Sequence, residues 1–294
     1  MTTFSVVLPA KNEAGAIGQT IEQILALQLV DEVIVVNDGS SDQTLQVAEQ
    51  AGAKVISHPY SKGNGAAIKT GARHAQGEII IFMDADGQHN PEDISRLLHQ
   101  IAGGHDMVVG ARQKGSQASF GRGLANSFYN GLATWMTGHD VHDLTSGFRA
   151  VRSEKFREFL YLLPNGFSYP TTSTMAFFRA GYSVKYIPIH AAKRIGKSHI
   201  RLLKDGLRFL LIIFKIGTLF SPLKIFAPVS IAMVFLASFW YGWTFFHEGR
   251  FTNMSALLYT GGVMVFLLGL IAVLINSIVN MNVFYSNVSD VLYR

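Results

Sequence analysis

The chain of 294 residues contains no cysteine. This absence excludes a disulfide framework and agrees with a reducing compartment. Charged residues are also missing over two long stretches, because no Asp, Glu, Lys, Arg or His occurs in residues 225–246 or 251–289. A helix needs about 20 apolar residues to cross a bilayer. We therefore predict two membrane spans, near residues 225–246 and 256–279, in preference to two buried helices of a soluble core.

Acidic residues are scarce in the last third of the chain. Residues 1–190 carry 15 Lys/Arg and 17 Asp/Glu, whereas residues 191–294 carry 10 and 3, so the net charge of +5 arises in one region. The basic surplus lies beside very apolar sequence rather than among exposed aromatic residues. This arrangement favours a membrane over a nucleic acid as the partner of the chain.

The charges that flank the two spans predict how the chain is oriented. The loop between the spans offers only Arg250 against Glu248. Because basic residues concentrate on the cytoplasmic side of membrane proteins, we expect a multi-pass protein of the cytoplasmic (inner) membrane whose N-terminal domain faces the cytoplasm. The basic residues that precede the first span are Lys193, Arg194, Lys197, Arg201, Lys204, Arg208, Lys215 and Lys224.

A basic stripe separates the N-terminal domain from the spans. Arg201, Lys204 and Arg208 return to roughly the same angle on a helix, and Lys215 follows on that face. This pattern predicts an amphipathic helix in the membrane interface, and packing of the same helix on the soluble domain is the alternative. The expected divisions are a large N-terminal domain over residues 1–198, interfacial amphipathic helices over 199–222, and a transmembrane hairpin with a short cytoplasmic tail over 223–294.

The first 190 residues alternate strand and helix patterns, which predicts an α/β fold with a mostly parallel sheet and helices on both faces. In such sheets ligands bind beyond the carboxyl ends of the strands. The predicted helices lie near residues 13–27, 42–51, 64–75 and 91–101. The predicted strands are Phe4–Leu8, Glu32–Asn37, Lys54–Ser57, Glu78–Met83, Asp106–Gly110 and Val184–Ile189.

Two carboxylates, Asp84 and Asp86, follow the apolar run 79–83. Residues i and i+2 of an extended segment point to the same side. Magnesium and manganese prefer oxygen ligands and often share them with substrate phosphates. An Asp-x-Asp triplet alone is common in solvated turns, but its place after a buried strand favours a metal site that holds a diphosphate.

Polar clusters also follow the first two predicted strands, at residues 9–13 and 37–42. The three clusters should meet at one edge of the sheet, with Asp38 directed into the cleft. Ser40, Ser41 and Asp42 are expected instead to cap the helix that follows them.

The ordered motifs resemble family 2 glycosyltransferases of the Rossmann-like GT-A fold. Within this family they resemble the polyprenyl-phosphate glycosyltransferases, the dolichyl-phosphate mannose synthase group and its bacterial relatives with two C-terminal transmembrane helices. The resemblance covers roughly residues 4–200. The motifs are Val6-Val7-Leu8-Pro9 with Asn12-Glu13, Val-Asn-Asp-Gly-Ser-Ser-Asp over 36–42, Lys62-Gly63-Asn64-Gly65, Asp84-Ala85-Asp86 and Ser146-Gly147-Phe148-Arg149.

The resemblance implies a nucleotide-sugar site and a site for Mg²⁺ or Mn²⁺. Lys11 stands where mannose synthases often carry Tyr, which favours a uridine donor such as UDP-glucose or UDP-GlcNAc over GDP-mannose. Lys62 and Lys69 lie near a helix start, where they could contact phosphate or remain solvated. The implied nucleotide-sugar ligands are Pro9, Glu13, Asp38, Lys62, Asp84 and Asp86, and the implied metal ligands are Asp84, Asp86 and Gln88.

The resemblance also implies an anionic lipid acceptor, bound by Arg112, Arg122, Asn126 and Lys197. The expected catalytic residues are Asp86, Asp143 and Arg194, and the sequence leaves open whether Asp143 is a base or a sugar ligand. A phosphate monoester has a second pKa near about 6, so the acceptor can attack as a dianion without a base. The histidines near the site, His89, His139 and His142, are expected to be structural.

These expectations combine into one function, the metal-dependent transfer of a single hexose to a polyprenyl phosphate such as undecaprenyl phosphate, with inversion implied by the resemblance. A processive synthase would need more spans and a Gln-x-x-Arg-Trp motif, and a nucleotidyltransferase would need a Gly-rich, Arg-containing loop after the first strand. A non-catalytic membrane scaffold is the alternative of another class, and the intact carboxylates argue against it. The sequence leaves self-association into a homo-oligomer open.

Overall fold

The computed structural model describes residues 2–112, 120–166, 168–190, 211, 214–215, 217–218 and 221–292, and the side chains of these residues except 120–126 and 279–292. They fall into two compact units, Met1–Ile213 and Phe214–Arg294. Most of the predicted interfacial helices at 199–222 lies outside the described residues. The predicted boundaries near 198 and 222 stay predictions.

The first unit is built on a seven-stranded sheet in which strands and helices alternate along the chain. In chain order the elements are β1 Phe4–Ala10, α1 Ile17–Ala26, β2 Glu32–Asn37, α2 Thr44–Gln50, β3 Lys54–Ser57, α3 Asn64–His74, β4 Ile79–Phe82, α4 Asp93–Ala102, β5 Met107–Arg112, α5 Phe120–Thr137, β6 Arg149–Arg152, α6 Ser153–Arg157, α7 Tyr169–Arg179 and β7 Val184–Ile189.

Helices cover both faces of the sheet. Successive residues of a strand point to opposite faces, so the apolar strands contribute side chains to a core on each side. On one face, Val6 and Leu8 of β1 join a buried cluster with Ile21 of α1 and Leu97 of α4. On the other face, α3 approaches β1 so closely that a side chain at Gly71 would come within 2.3 Å of Val7. The α/β architecture predicted from the sequence is confirmed.

The strand order is β3-β2-β1-β4-β6-β5-β7. All neighbours are parallel except β6, which runs antiparallel to both β4 and β5. The strand β6 was not predicted from the sequence, because it is four residues long and carries Arg149 and Arg152 at its ends. Since β6 runs against β4, the segment that leads into β6 lies beside the end of β4.

Pro9 lies in β1, a central strand of the sheet. Proline lacks the backbone N–H group that a residue there would normally donate to a neighbouring strand. Val7 accepts a hydrogen bond from the Met83 N–H at 3.2 Å, so Pro9, two residues later, faces the same side. The register pairs β1 with β4 only as far as Val7 and Phe82. Pro9 is therefore tolerated because β4 no longer offers it a ladder partner.

The second unit contains two long helices, α8 Pro222–Glu248 and α9 Asn253–Leu292. The most apolar 18-residue stretches within Pro222–Glu248 and Asn253–Ile278 have mean hydropathies of 1.8 and 2.4, so both helices are long and apolar enough to cross a membrane. Glycines of α9 allow the close approach of α8. The Ser230 hydroxyl donates to the Gly262 carbonyl at 2.8 Å, and a Cβ atom at Gly262 would lie 2.9 Å from Val234 Cγ2.

Gly262→Leu should force α8 and α9 apart and destabilise the detergent-solubilised protein by about 1–3 kcal/mol, the usual cost of overpacking. Gly242→Leu is the matched control, because no described atom lies within 4 Å of a Cβ atom there. Thermal unfolding would measure both variants. Equal melting temperatures for the two variants would show that the contact at Gly262 does not hold the helices together.

Candidate active site

The loops that follow β1 and β2 are joined at the carboxyl edge of the sheet. The Asn12 N–H donates to Ser40 Oγ at 3.0 Å, and the Ser41 N–H donates to Asn12 Oδ1 at 2.8 Å. Asp42 Oδ1 accepts the N–H of Thr44, the first residue of α2, at 3.1 Å, but the N-cap residue of this helix is Gln43, which makes no side-chain capping hydrogen bond. Ser40 and Ser41 connect the two loops, and the backbone N–H of Glu13 donates to Thr44 Oγ1.

Asp38 is buried and accepts hydrogen bonds from four protein donors. His58 Nδ1 and the Lys62 N–H bond Oδ1 at 2.7 and 2.8 Å, while Ser61 Oγ and the Gly63 N–H bond Oδ2 at 2.8 and 2.9 Å. Burial opposes the charge, but these donors outweigh it and lower the pKa of Asp38. The carboxylate therefore anchors the 58–63 loop, and a nucleotide base would have to replace one of these bonds to reach it.

The first turn of α3 is occupied by another loop of the protein. The N–H groups of Gly65 and Ala66 donate to the carbonyls of Gly166 and Asn165 at 3.0 and 2.9 Å. Lys69 Nζ donates to the Leu163 carbonyl at 3.1 Å and also contacts the Asn165 side chain. The helix N-terminus and Lys69 thus bind polypeptide. Lys62 Nζ lies 5.8 Å from the centroid of the exposed Tyr60 ring.

Asp84 and Asp86 lie directly beyond β4, as the sequence predicted. The Asp84 side chain is 36% exposed, whereas Asp86 is buried and its Oδ1 accepts the Gln88 N–H at 3.2 Å. Among the described residues no group of three His, Cys, Asp or Glu side chains could surround a metal ion. Two carboxylates with an adjacent amide suit Mg²⁺ or Mn²⁺, which take their remaining oxygens from water and substrate phosphates.

Gly147 lies directly against the Asp84 carboxylate. A Cβ atom at Gly147 would lie 3.0 Å from Asp84 Oδ2. On another side, His89 Nε2 is 3.7 Å from the same oxygen, and the buried His89 ring stacks on Phe148 with centroids 5.0 Å apart. Asp84 therefore sits among closely packed neighbours at the point where β4 ends.

Arg112 and Asp143 form a bidentate ion pair at the end of β5. Arg112 Nε and one terminal nitrogen donate to the two carboxylate oxygens at 2.8 and 3.0 Å, and Arg112 also contacts the Thr145 hydroxyl. Burial opposes both charges, but the hydrogen bonds and the mutual attraction prevail. They raise the pKa of Arg112 and lower the pKa of Asp143.

The remaining predicted residues are only partly described. Arg122 and Asn126 lie in α5, but their side chains are outside the described part of the chain, as are Arg194 and Lys197 altogether. The histidines pack as structural residues would. His139 stacks on Phe178 at 4.8 Å, and His142 lies edge-on to Tyr186 at 5.2 Å.

The motif over residues 146–149 includes Arg149, but the sequence predicts no role for it or for the polar side chains of α7 that contact it. Arg149 is fully buried and donates to Ser173 and Thr174 of α7, while Tyr169 donates to the Gly147 carbonyl at 2.8 Å. The run of hydroxyl residues from 168 to 174 was a usable signal, because such a helix buries its hydroxyls only where partners exist. The partners themselves are distant in sequence.

Residues 5–160 match the family described as Glycosyl transferase family 2, and residues 221–278 match the GtrB C-terminal hairpin. The chain is 30% identical over 211 residues to an undecaprenyl-phosphate 4-deoxy-4-formamido-L-arabinose transferase of Edwardsiella ictaluri, in a match that covers 68% of this chain and 63% of the relative. The chain thus spans less than two thirds of that relative's length. It is 29% identical over 199 residues to a dolichyl-phosphate hexose transferase of Haloferax volcanii, covering 67% and 86%.

A solved structure shares the fold. Glucosyl-3-phosphoglycerate synthase from Mycobacterium tuberculosis, in complex with Mn²⁺, uridine diphosphate and glucosyl-3-phosphoglycerate, superposes with a TM-score of 0.61 at 24% identity, and the match covers 74% of this chain and 80% of that one. This likeness confirms the predicted GT-A fold of the first unit.

Asp143→Asn should destabilise the protein by about 3 kcal/mol at neutral pH, because it removes one charge of a buried pair. The folded pKa of Asp143 lies below its ordinary value of 3.8, so the carboxylate stabilises the fold fully above about pH 5 and loses this effect as the pH falls through the folded pKa. Melting temperatures between pH 8 and pH 4 should therefore show a constant gap between wild type and variant that narrows at the acid end.

Asp140→Asn, at an exposed carboxylate, is the control and should leave the melting curve unchanged across this range. A gap for Asp143→Asn that widens on acidification would contradict the assigned direction of the Asp143 pKa.

Proposed function

The chain belongs to glycosyltransferase family 2, and from this membership we propose that it transfers a single hexose from a nucleotide sugar to a polyprenyl phosphate at the cytoplasmic face of the membrane. Relatives named for undecaprenyl-phosphate and dolichyl-phosphate acceptors support the lipid acceptor. The hairpin match and two apolar helices support a membrane-bound enzyme. The observation that carries the proposal is the Arg112–Asp143 pair.

A sugar transferase that acts on an alcohol needs a base to remove the hydroxyl proton. Asp143 is a poor base here, because two hydrogen bonds from Arg112 and a lowered pKa keep it ionised and engaged. Asp84 and Asp86, which follow β4, are assigned instead to the metal. A phosphate acceptor fits this arrangement, since it is largely a dianion at neutral pH.

The proposed reaction is a single displacement with inversion. An oxygen of the acceptor phosphate forms a bond to the anomeric carbon, the bond from that carbon to the donor diphosphate breaks, and the electron pair leaves with the nucleoside diphosphate. Arg112 is proposed to approach the acceptor phosphate with the edge of its guanidinium that Asp143 does not occupy, since Nε and one terminal nitrogen already bond Asp143. Arg122, Asn126, Arg194 and Lys197 are proposed to complete the acceptor site.

Asp84, Asp86 and Gln88 would hold Mg²⁺ or Mn²⁺, which when bound offsets the negative charge of the leaving diphosphate. Glu13 and Pro9 follow the same sheet edge and are proposed to contact the nucleoside. The enzyme itself supplies position and fixed charge, so most of the rate acceleration is expected from orientation and electrostatic stabilisation.

Uridine is the favoured base of the donor, with UDP-glucose or UDP-GlcNAc as the first candidates. Lys11 Nζ donates to Ser61 Oγ at 3.0 Å, and that hydroxyl donates to Asp38. Lys11 is thus held against the 58–63 loop and presents no aromatic ring on which a guanine could stack. GDP-mannose is the alternative donor.

Asp86→Ala and Arg122→Ala should each abolish sugar transfer while leaving the protein folded and membrane-bound, because one removes a metal ligand and the other an acceptor contact. Transfer of radiolabelled sugar to undecaprenyl phosphate would measure the effect. Asp140→Ala and Arg96→Ala, at exposed positions, are the matched controls and should retain activity. Full activity in both site variants would overturn the site assignment.

A donor panel should distinguish the candidate sugars. UDP-glucose, UDP-GlcNAc, UDP-galactose and GDP-mannose would be offered with undecaprenyl phosphate to the full chain in detergent, with Mn²⁺ or Mg²⁺ present. We expect turnover with a uridine donor, and loss of that turnover when EDTA removes the metal. Turnover with GDP-mannose alone would refute the uridine preference, and activity that survives EDTA would refute the metal requirement.

A further inference from the structure

We propose that Tyr169 and Arg149 are positioning residues for Asp84, and that they act by fixing the backbone of Ser146 and Gly147 against its carboxylate. Neither side chain is expected to touch substrate. The inference rests on the proposed role of Asp84 as a metal ligand.

The register of β6 against β4 determines which residue lies beside Asp84. Arg149 lies opposite Phe82 in the antiparallel pair of β6 and β4. Two residues beyond this pair on each strand, Gly147 comes beside Asp84. The Cβ atom that a larger residue would carry at position 147 would lie 3.0 Å from Asp84 Oδ2 and 3.3 Å from Oδ1. The backbone at Gly147 therefore limits where both carboxylate oxygens can lie.

A hydrogen bond from α7 holds the backbone of Gly147 in place. The Tyr169 hydroxyl donates to the Gly147 carbonyl at 2.8 Å, and the Tyr169 side chain is buried. Burial raises the pKa of Tyr169, so the hydroxyl keeps its proton and remains a donor at every pH at which the enzyme would work. Tyr169 is the first residue of α7, so the helix itself sets the position of the ring.

The neighbouring carbonyl group, that of Ser146, is held by Arg149. Arg149 donates to the Ser146 carbonyl and, through its other terminal nitrogen, to the Pro170 carbonyl at 3.1 Å and to the Ser173 hydroxyl at 2.9 Å. One guanidinium thus ties the segment before β6 to the first turns of α7. Together Arg149 and Tyr169 hold two consecutive carbonyls, and the peptide that faces Asp84 has little freedom to move.

Metal ligands depend on such support, because the groups that orient a ligand typically change metal affinity about 10–100-fold when they are lost. Tyr169→Phe removes one oxygen atom and frees the Gly147 carbonyl. Gly147→Ala leaves Tyr169 intact and displaces the Asp84 carboxylate directly. Both changes should loosen or shift the same ligand by different routes.

The test measures Mn²⁺ binding to the full chain in detergent, with and without UDP, from the electron paramagnetic resonance signal of free Mn²⁺. Readings would be taken well below the melting temperature of each variant, so that unfolded protein does not contribute. We expect Tyr169→Phe and Gly147→Ala to weaken Mn²⁺ binding in the presence of UDP by about tenfold or more.

Two control variants match these changes. Tyr182→Phe removes a hydroxyl that bonds the exposed Glu158 at 2.9 Å, and Gly166→Ala adds a methyl group that meets no described atom within 4 Å. Both should bind Mn²⁺ as wild type does. If Tyr169→Phe does not fold, Arg149→Lys, which removes the guanidinium that bonds the Ser146 carbonyl, takes its place and should weaken Mn²⁺ binding in the same way.

The possible outcomes separate this inference from the function on which it rests. If wild type does not bind Mn²⁺ in the presence of UDP, the proposed metal role of Asp84 is wrong. If wild type binds Mn²⁺ and the two variants bind it equally well, the metal role stands and the positioning role is overturned. A lower melting temperature with unchanged Mn²⁺ affinity would likewise overturn it, since it would indicate a merely structural role.

Discussion

A guanidinium with no exposed surface, that of Arg149, lies between the sheet and α7. A buried charge is costly unless its hydrogen bonds are met. Among the described residues Arg149 donates to carbonyl, hydroxyl and thioether acceptors and to no carboxylate. The carbonyl and hydroxyl acceptors come from the segment before β6 and from the first turns of α7, and the thioether is that of Met107 in β5. This single charge therefore fixes the segment before β6 relative to α7.

Asp38 plays the corresponding part at the other end of the site. Its four hydrogen bonds shape the 58–63 loop, and the next turn, at Gly63 and Gly65, packs directly on the 164–166 loop. A Cβ atom at Gly65 would lie 1.9 Å from the Pro164 carbonyl oxygen, so glycine is required there. The 164–166 loop leads shortly into α7. The Asp38 end and the Asp84 end of the candidate site are therefore joined by a short series of backbone contacts.

Arg112 and Asp143 give the site its chemical character. Paired with each other, they form a neutral unit whose arginine is held in place and whose carboxylate is a weak base. Such a site is poorly prepared to remove a proton from an alcohol, and a phosphate acceptor, which is largely a dianion at neutral pH, does not require that step. This arrangement agrees with the proposed phosphate acceptor, and it explains why the enzyme would need no residue dedicated to deprotonation.

The sequence was sufficient for much of this description. The strands that end in the polar clusters, the parallel topology around β1, the apolar helices and the membership of family 2 were all predicted, and the resemblance to polyprenyl-phosphate glycosyltransferases is confirmed. These features follow from the local hydrophobic pattern and from ordered motifs, both of which can be recognised in the sequence without knowledge of the fold. The strand β6 was missed, because four residues bounded by arginines carry too little apolar pattern.

By itself the sequence determined the family and the fold, and it predicted the candidate site residues, because carboxylates after a buried strand favour a metal site and basic residues beside apolar spans favour a membrane partner. Only the tertiary structure decided which partners those residues contact. It paired Arg112 with Asp143, filled the acceptor positions of Asp38 with protein donors, and placed Gly147 against Asp84. Each of these contacts joins residues that are distant along the chain, and their geometry depends on the register of an antiparallel strand or the start of a helix.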